Sequence, residues 1–440
     1  MIASILHFML TGLFGIAIIQ YLKKPSLSSI LILQGLAIGF LAETMISFLL
    51  YFIGIHTWVS FILMAPFIGY SLYKKWSDYS EYFFRILIKF REHRITLTEV
   101  IISTVLLEKI IFAGYMVLSI PVYFEDTMMH WAGRGKALYF GTNFSMDPSS
   151  PLFMGRLFGH KQYPLLLSLW KVNTAHIGGD WTDTYALFDS YLFYLILIAS
   201  TVIVVYHLTN RILYALISII IITSVPLNIW HSAHGMADMA LLAISVLSIW
   251  SIYKKEYLIT GLLLAALAWI KNEGLLIFAP VYILGLIIYN FDLKSRNIKL
   301  ISRALGLCLI GLIIPLLPWQ IFRWYTGLSM STPIKTENYY HPDSLQMFGK
   351  FTFDNPANSF FWVFVVAGLI LGSSNILKNR LSFSLLIMLF AHFILLIYIF
   401  CFTGAHIFMA NQMTIHRSLM QIVPLACILI FSLFAETNKL

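Results

Sequence analysis

Glu125 and Asp126 stand directly after an apolar run long enough to cross a bilayer, in the segment Pro121-Val-Tyr-Phe-Glu125-Asp126-Thr-Met-Met-His130-Trp131, and they open a long polar loop. Acids are expensive beside hydrocarbon, so two of them there point to chemistry. What suits a carboxylate is to orient an attacking hydroxyl or accept its proton. The loop continues through Arg134-Gly-Lys136, Asp147-Pro148, His160-Lys-Gln-Tyr163-Pro164, and then Asp180, Trp181 and Asp183. If 125–139 is helical, the acids and both cations fall within about three turns of one another, a base beside donors that suit a phosphate. The same stretch also fits an interfacial helix, with Trp131 and Tyr139 among lipid head groups and the charges in water.

Further clusters follow. In His231-Ser-Ala-His234-Gly-Met-Ala-Asp238 the spacings of three and four would put all three side chains on one face of a continuous helix. Such a face suits a divalent cation or a sugar hydroxyl, and equally two histidines that are merely hydrogen-bonded. Asp238 lies just inside an apolar run, where a charge without a partner is costly, and is the stronger candidate. Lys271-Asn-Glu273-Gly274 interrupts an apolar segment, and its charges suit either a structural turn or a site. In His416-Arg417-Ser-Leu-Met-Gln421, Arg417 opens the last apolar segment, as a snorkelling anchor or as a planar fork for phosphate. Glu108-Lys109, inside a span, reads as structural: adjacent opposite charges facing the bundle interior, or a pair whose depth in the span is less than it looks.

The elements that must position these groups are membrane helices. Of 440 residues, 59% are hydrophobic and 11% charged, and the mean hydropathy is +0.82, which excludes an ordinary water-soluble globule. The runs are long and unalternating, so the fold class is all-α, a polytopic transmembrane helical bundle rather than a barrel. About thirteen spans are expected, at 1–22, 28–50, 52–73, 97–119, 184–209, 212–230, 236–253, 256–270, 273–290, 304–323, 359–377, 382–403 and 417–434. The pair 256–270 and 273–290 is two spans or one broken element. Long loops at 120–183, between the fourth and fifth spans, and at 324–358 carry most of the polar clusters. One alternating set of loops and the tail holds eighteen of the 29 Lys and Arg residues, which by the positive-inside rule places those two long loops on the non-cytoplasmic side. The formal charge of +9 is therefore mainly a topology signal; the dispersed basic residues give no reason to invoke nucleic acid. The first apolar run lacks the basic start and small-residue cleavage site of a secretory signal and reads as a retained helix. Cys308, Cys401 and Cys427 lie in apolar runs and read as packing.

Taken in order, these motifs resemble the polytopic glycosyltransferases of the GT-C superfamily, especially bacterial enzymes similar to the dolichyl-phosphate-mannose protein mannosyltransferases. The resemblance rests on Asp126, Trp131 and Lys136-Ala137-Leu138 after a span, on Tyr163-Pro164, on Gly235-Met-Ala-Asp238, on Lys271-Asn-Glu-Gly274, and on Arg417 ahead of Pro424, over residues 97–434. Residues 1–96, with three extra spans and a basic loop, read as an amino-terminal addition to a catalytic core at 97–440. The resemblance implies transfer of a sugar from a polyprenyl-phosphate donor to a glycan, lipid or protein acceptor, at the non-cytoplasmic face of a bacterial inner membrane. It implies Asp126 as base with Glu125 as a substitute, and Lys271 and Arg417 on the donor phosphate with Arg134 or Lys136 assisting. Asp238, His231, His160, Tyr163 and Glu273 are then sugar or acceptor contacts. Some members of the superfamily use a divalent metal and others do not, so the resemblance leaves a divalent cation such as Mg or Mn open without requiring it. A multi-span transporter or lipid flippase remains the alternative, since it too has many helices, intramembrane acids and interrupted spans.

Overall fold

Apolar residues on every side and hydrogen-bonding caps at the ends build this chain into helices. The computed structural model describes residues 1–23, 28–92, 96–155, 161–291, 298–328, 340–358, 360–412 and 414–435. The first four helices are α1 (Ile2–Lys23), α2 (Ser29–Phe52), α3 (Val59–Glu92) and α4 (Leu97–Ser119). The Ser28 side chain caps α2 by accepting from the Leu31 amide, and Thr96 with Glu99 closes a reciprocal capping box on α4. A π-helical turn, Thr127–Trp131, runs into α5 (Ala132–Phe140), and α6 (Leu166–Gly178) and α7 (Asp183–Thr209) follow. Next come α8 (Ile212–Ser224), α9 (Pro226–Ala233), α10 (Ala237–Tyr253) and α11 (Tyr257–Ile270). A second π turn, Gly274–Phe278, leads into α12 (Ala279–Asn290), then α13 (Ile298–Thr326), α14 (Ser344–Phe353), α15 (Phe361–Ile376) and α16 (Arg380–Phe402). The chain closes with α17 (His406–Ala410), α18 (Ile415–Gln421) and α19 (Val423–Leu433). Among the described residues there is no strand, only an isolated bridge between Ser145 and Phe153.

Each of the thirteen expected spans falls on a helix, though not every one of these helices is long and apolar enough by itself to cross a membrane. Among the described residues seven helices are long and apolar enough to cross a membrane: α1, α2, α4, α7, α13, α16, and α18 with α19; the α8–α9 pair, bent by 75°, makes an eighth if it is one span. The 14 and 17 residues of α11 and α10 rise only about 21–26 Å, short of a hydrocarbon core of roughly 30 Å. The expected third span runs on past 73, because α3 continues through the basic stretch to Glu92. Lys271 to Glu273 separates two helices that double back, with the Gly274 Cα face against the Leu267 carbonyl, where a Cβ would lie 1.9 Å from the oxygen.

The stretch expected as a polar loop at 120–183 is largely built into the bundle. Every residue of α6 from Leu166 to Ala175 is buried, packed against α1, α2 and α7. At the centre stands α10, buried from Ala237 to Ile252, with α19 buried along its whole length beside it. Helix ends meet at two levels. The polar segments at 120–123, 162, 183, 234, 272, 355 and 416 are joined at one end by Val122 N to Asp183, Tyr123 to His234, Asn272 to Gln162 and Asn355 to His416. Gln34 with Glu256 and Tyr257 with Asn290 mark the other. The pair expected inside the fourth span is placed differently. Glu108 is exposed on the periphery, and Lys109 donates to Ser224 of α8 at 3.0 Å.

In lipid, apolar side chains gain little by leaving it for one another, so close backbone approach and polar contacts hold membrane helices together. Here α1 and α2 touch through glycine: a Cβ on Gly15 would lie 1.8 Å from the Gly35 carbonyl oxygen, and one on Gly39 would lie 1.9 Å from the Thr11 oxygen. Gly15→Ala should therefore lower the thermal midpoint in detergent, by an overpacking cost of about 1–3 kcal/mol. Gly69→Ala, where a Cβ meets nothing within 4 Å, should leave it unchanged; equal behaviour of the two variants would refute the contact.

Candidate active site

Five charged side chains that are far apart in the chain meet at the polar end of the bundle. Arg417, in the first turn of α18, is held between two acids. Its Nη1 pairs with Asp126 Oδ2, and its Nε and Nη2 donate to Asp238 Oδ2 at 3.2 and 2.8 Å. Asp238, in the first turn of α10, is fully buried, and each of its oxygens is engaged. Gln421 Nε2 donates to Oδ1 at 2.6 Å and Lys271 Nζ stands 3.8 Å from the same atom, while His231 Nδ1 lies 3.2 Å from Oδ2. Lys271, closing α11, also pairs with Glu273 Oε1 at 3.0 Å. His130 Nε2 lies 3.8 Å from Asp126 Oδ1, one helical turn on from it. With the histidines neutral, three carboxylates surround two cations.

Local structure explains how the cluster forms. His231 and Asp238 do not share a helix as their spacing suggests: α9 ends at His234, and Gly235 adopts a left-handed φ of +67° before α10 begins. A Cβ on Gly235 would also sit 2.8 Å from the Ala186 oxygen, so the turn needs glycine for space as well as for dihedral. The break leaves His231 against Asp238 but turns His234 away, stacked on Trp230 at 4.0 Å between ring centres and bonded to the Tyr123 hydroxyl at 2.8 Å. The metal reading of that triad is thus corrected. Among the described residues no group of three or more His, Cys, Asp or Glu is arranged to hold a metal ion.

The other expected site residues divide. Tyr163 is at the cluster, its ring stacked on Trp131 at 5.3 Å and edge-on to His130 at 5.6 Å, and it senses the charges of Glu273, Lys271, Arg417 and Asp126. Arg134 is not: it is fully buried and donates from Nη2 to the carbonyls of Lys161 and Tyr163 at 3.2 and 3.0 Å. Its role is to clamp the segment that carries Tyr163, and burial pushes its guanidinium down to about 9. Glu125 and Lys136 are exposed on the same helical rod, and neither is a member of the ion pairs that build the cluster. His160 lies outside the described residues.

The electrostatics follow from burial against pairing. Burial raises the Asp126 carboxyl, but Arg417, then Lys271 and His130, outweigh it and hold the group below the usual carboxylate range. Burial likewise disfavours the Lys271 ammonium, and Glu273 with Asp238 reverses this, leaving it above the ordinary lysine value. The Asp126 carboxylate and the Lys271 ammonium are therefore both ionised at neutral pH. Asp126, with 31% of its side chain exposed, and Glu273, with 32%, form the accessible rim, whereas Arg417 keeps 14% and Asp238 none.

Sequence reading missed a second buried network. Glu43 of α2, fully enclosed, contacts His7 Nε2 at 2.5 Å and accepts from Thr11 Oγ1 at 2.6 Å and Asn173 Nδ2 at 2.7 Å, while His7 Nδ1 reaches Thr174 Oγ1 at 2.7 Å. On the next face of α6, Lys171 pairs with Asp189 of α7 at 2.6 Å, both buried. Ser168 of α6 donates to the Trp131 carbonyl at 3.0 Å, directly under the turn that carries Asp126. The signal available was the presence of Glu43 and Asp189 inside apolar runs, where an acid demands a partner.

Removing Asp238 would take from Arg417 and Lys271 the buried counter-charge they share, leaving each with one partly exposed acid, so Asp238→Ala should destabilise the protein by about 3–5 kcal/mol, read as a lowered thermal midpoint in detergent. Glu125→Gln, on the exposed rim of the same rod, should not. A stable Asp238→Ala protein would mean that the cluster does not form. Neither a protein-family model, nor a curated protein, nor a solved structure matches this chain.

Proposed function

We propose that this protein is a membrane glycosyltransferase that moves a sugar from a polyprenyl-phosphate donor to an acceptor hydroxyl at the non-cytoplasmic face of a bacterial inner membrane, within a bundle of the GT-C type. The observation that carries the reading is the meeting of Asp126, Asp238, Lys271, Glu273 and Arg417 from four separate segments at one end of an apolar bundle. A donor with a long apolar tail needs that setting: the tail stays in lipid while the phosphosugar reaches ionised groups at the membrane surface. The non-cytoplasmic side follows when all thirteen expected segments are counted as crossings, which puts the excess of Lys and Arg on the opposite loops.

In this reading the acceptor oxygen attacks the anomeric carbon. The bond from that carbon to the phosphate oxygen breaks, and its electron pair leaves with the polyprenyl phosphate. The hydroxyl proton goes to Asp126, and in-line attack inverts the anomeric centre. Arg417 and Lys271 are the groups for the phosphate, and both are already paired with acids. An arriving phosphate would compete with Asp126 for the Arg417 fork, which would release that carboxylate toward the acceptor. Asp238 stays behind Arg417 as the fixed counter-charge that positions it.

The test is transfer from defined polyprenyl-phosphate sugars in liposomes. Asp126→Asn and Arg417→Ala should each lower the rate by at least about 100-fold, the usual scale for a lost proton acceptor or charge stabiliser. Because the folded carboxyl of Asp126 lies below its ordinary value, its ionised form predominates above about pH 4 and is lost only as pH falls through that lowered value. The rate should therefore show no acid limb from this group between about pH 5 and 8. Transfer indifferent to both substitutions would remove the assignment. The buried Glu43–His7 pair between α1 and α2 favours one other reading, a transporter or lipid flippase; solute or lipid flux without sugar transfer in the same liposomes would select it.

A further inference from the structure

Two cavities that share a wall lie apart from the charged cluster, and their linings are opposite in character. The first, about 520 Å³, opens at the polar end of the bundle between the α2–α3 turn, the end of α5 and α6. Its walls carry Tyr51, His56, Tyr139, Phe140, Ser145 and His176. The second, about 610 Å³, is a groove on the outside of α2 and α13, lined by Phe48, Leu49, Ile314, Leu317, Ile321 and Trp324 among others, all apolar or aromatic. Phe52, at the end of α2, lines both. Among the described residues no Asp, Glu, Lys or Arg lines either one. Burial, and then the neighbouring His56, push the His176 imidazole below its usual value, so it is neutral at pH 7.

We propose that this pair of cavities is one binding site for a glycolipid, a lipid whose uncharged, hydroxyl-rich head group fills the aromatic cavity while its chain lies in the groove of α2 and α13. The head-group chemistry follows from the walls. Aromatic faces with hydroxyl and imidazole groups between them suit the alternating C–H and O–H surface of a sugar ring, and the described lining holds no cation to neutralise a phosphate. The chain follows from the groove, which lies among residues that would otherwise face hydrocarbon and shares Phe52 with the cavity as a common wall. The site is separate from the reacting groups. The helical rod that begins at Asp126 ends at the cavity wall with Tyr139 and Phe140, about 20 Å away at the rise of a helix. Assigning the ligand as the acceptor rests on the proposed sugar transfer; its binding does not.

The experiment is photo-crosslinking of the full chain in phosphatidylcholine nanodiscs, with dodecyl maltoside carrying a diazirine on its alkyl chain. Labels should concentrate at 48–57 and 314–325. Unlabelled dodecyl maltoside should compete at least about tenfold better than dodecyl phosphate or free maltose. Leu317→Trp, which fills the groove from the lipid side, and Tyr139→Ala, which removes a ring from the cavity, should each cut labelling about tenfold, whereas Leu107→Trp on the exposed face of α4 should not. An unchanged thermal midpoint shows that each variant is folded; Ile314→Trp takes the place of Leu317→Trp if that one is not. Equal competition by dodecyl phosphate, labelling spread evenly over α4 as expected of bulk lipid, or labelling indifferent to both site substitutions would overturn the proposal. Site-specific labelling beside failed sugar transfer would leave it standing and refute only the transferase reading.

Discussion

A guanidinium set into an apolar bundle must find its counter-charge inside the protein, and Arg417 finds two. It bridges Asp126, on the turn that follows α4, and Asp238, at the head of the central helix α10. Desolvation penalises all three groups, and their mutual pairing offsets it only while the geometry holds. The last helix, the central helix and the outer rod are therefore tied together at one point, and Lys271 with Glu273 adds the turn between α11 and α12 to the same knot. Gln421, one turn on from Arg417, and His231, across the Gly235 break, complete the shell of Asp238.

The rest of the molecule repeats this logic at lower exposure. Hydrophobic burial cannot by itself specify how helices associate in lipid, so the specifying contacts are polar or backbone-close. Glu43 with His7 and Asn173, and Lys171 with Asp189, fasten α6 to α1, α2 and α7. Through Ser168 and the Trp131 carbonyl, α6 in turn supports the segment that bears Asp126. The amino-terminal helices are thereby connected to the charged cluster by a continuous chain of buried contacts. The accessible edge of the cluster is formed by its acids, while its cations lie behind them. A ligand that approaches from water meets Asp126 and Glu273 first, and an anion must displace a carboxylate to reach Arg417 or Lys271.

Much of this was legible in the sequence because cost in lipid is a property of residue type. Acids and cations at 126, 238, 271, 273 and 417 stand out against apolar surroundings, and each of them sits in the cluster. Glu125, Lys136 and Arg134 were equally visible and went elsewhere: consecutive or closely spaced residues on a helix point in different directions, and a sequence carries no rotation of the helix about its axis. Helix positions were legible for the same reason as the charges. The depth of each helix was not, because α6 and α10 are buried by neighbours far along the chain.

What the sequence by itself determined is that the chain is helical, belongs in a membrane and carries costly charges at particular helix ends, since transfer free energy and helical periodicity are local properties. Only the tertiary structure decided which charge meets which. It brought Arg417 to Asp126 across 291 positions and to Asp238 across 179, and it turned Arg134 inward to backbone carbonyls. The physical reason is that pairing depends on the distance and direction of side chains from separate helices, fixed by packing such as the glycine contact of α1 with α2 and the Gly235 turn, which no single segment contains.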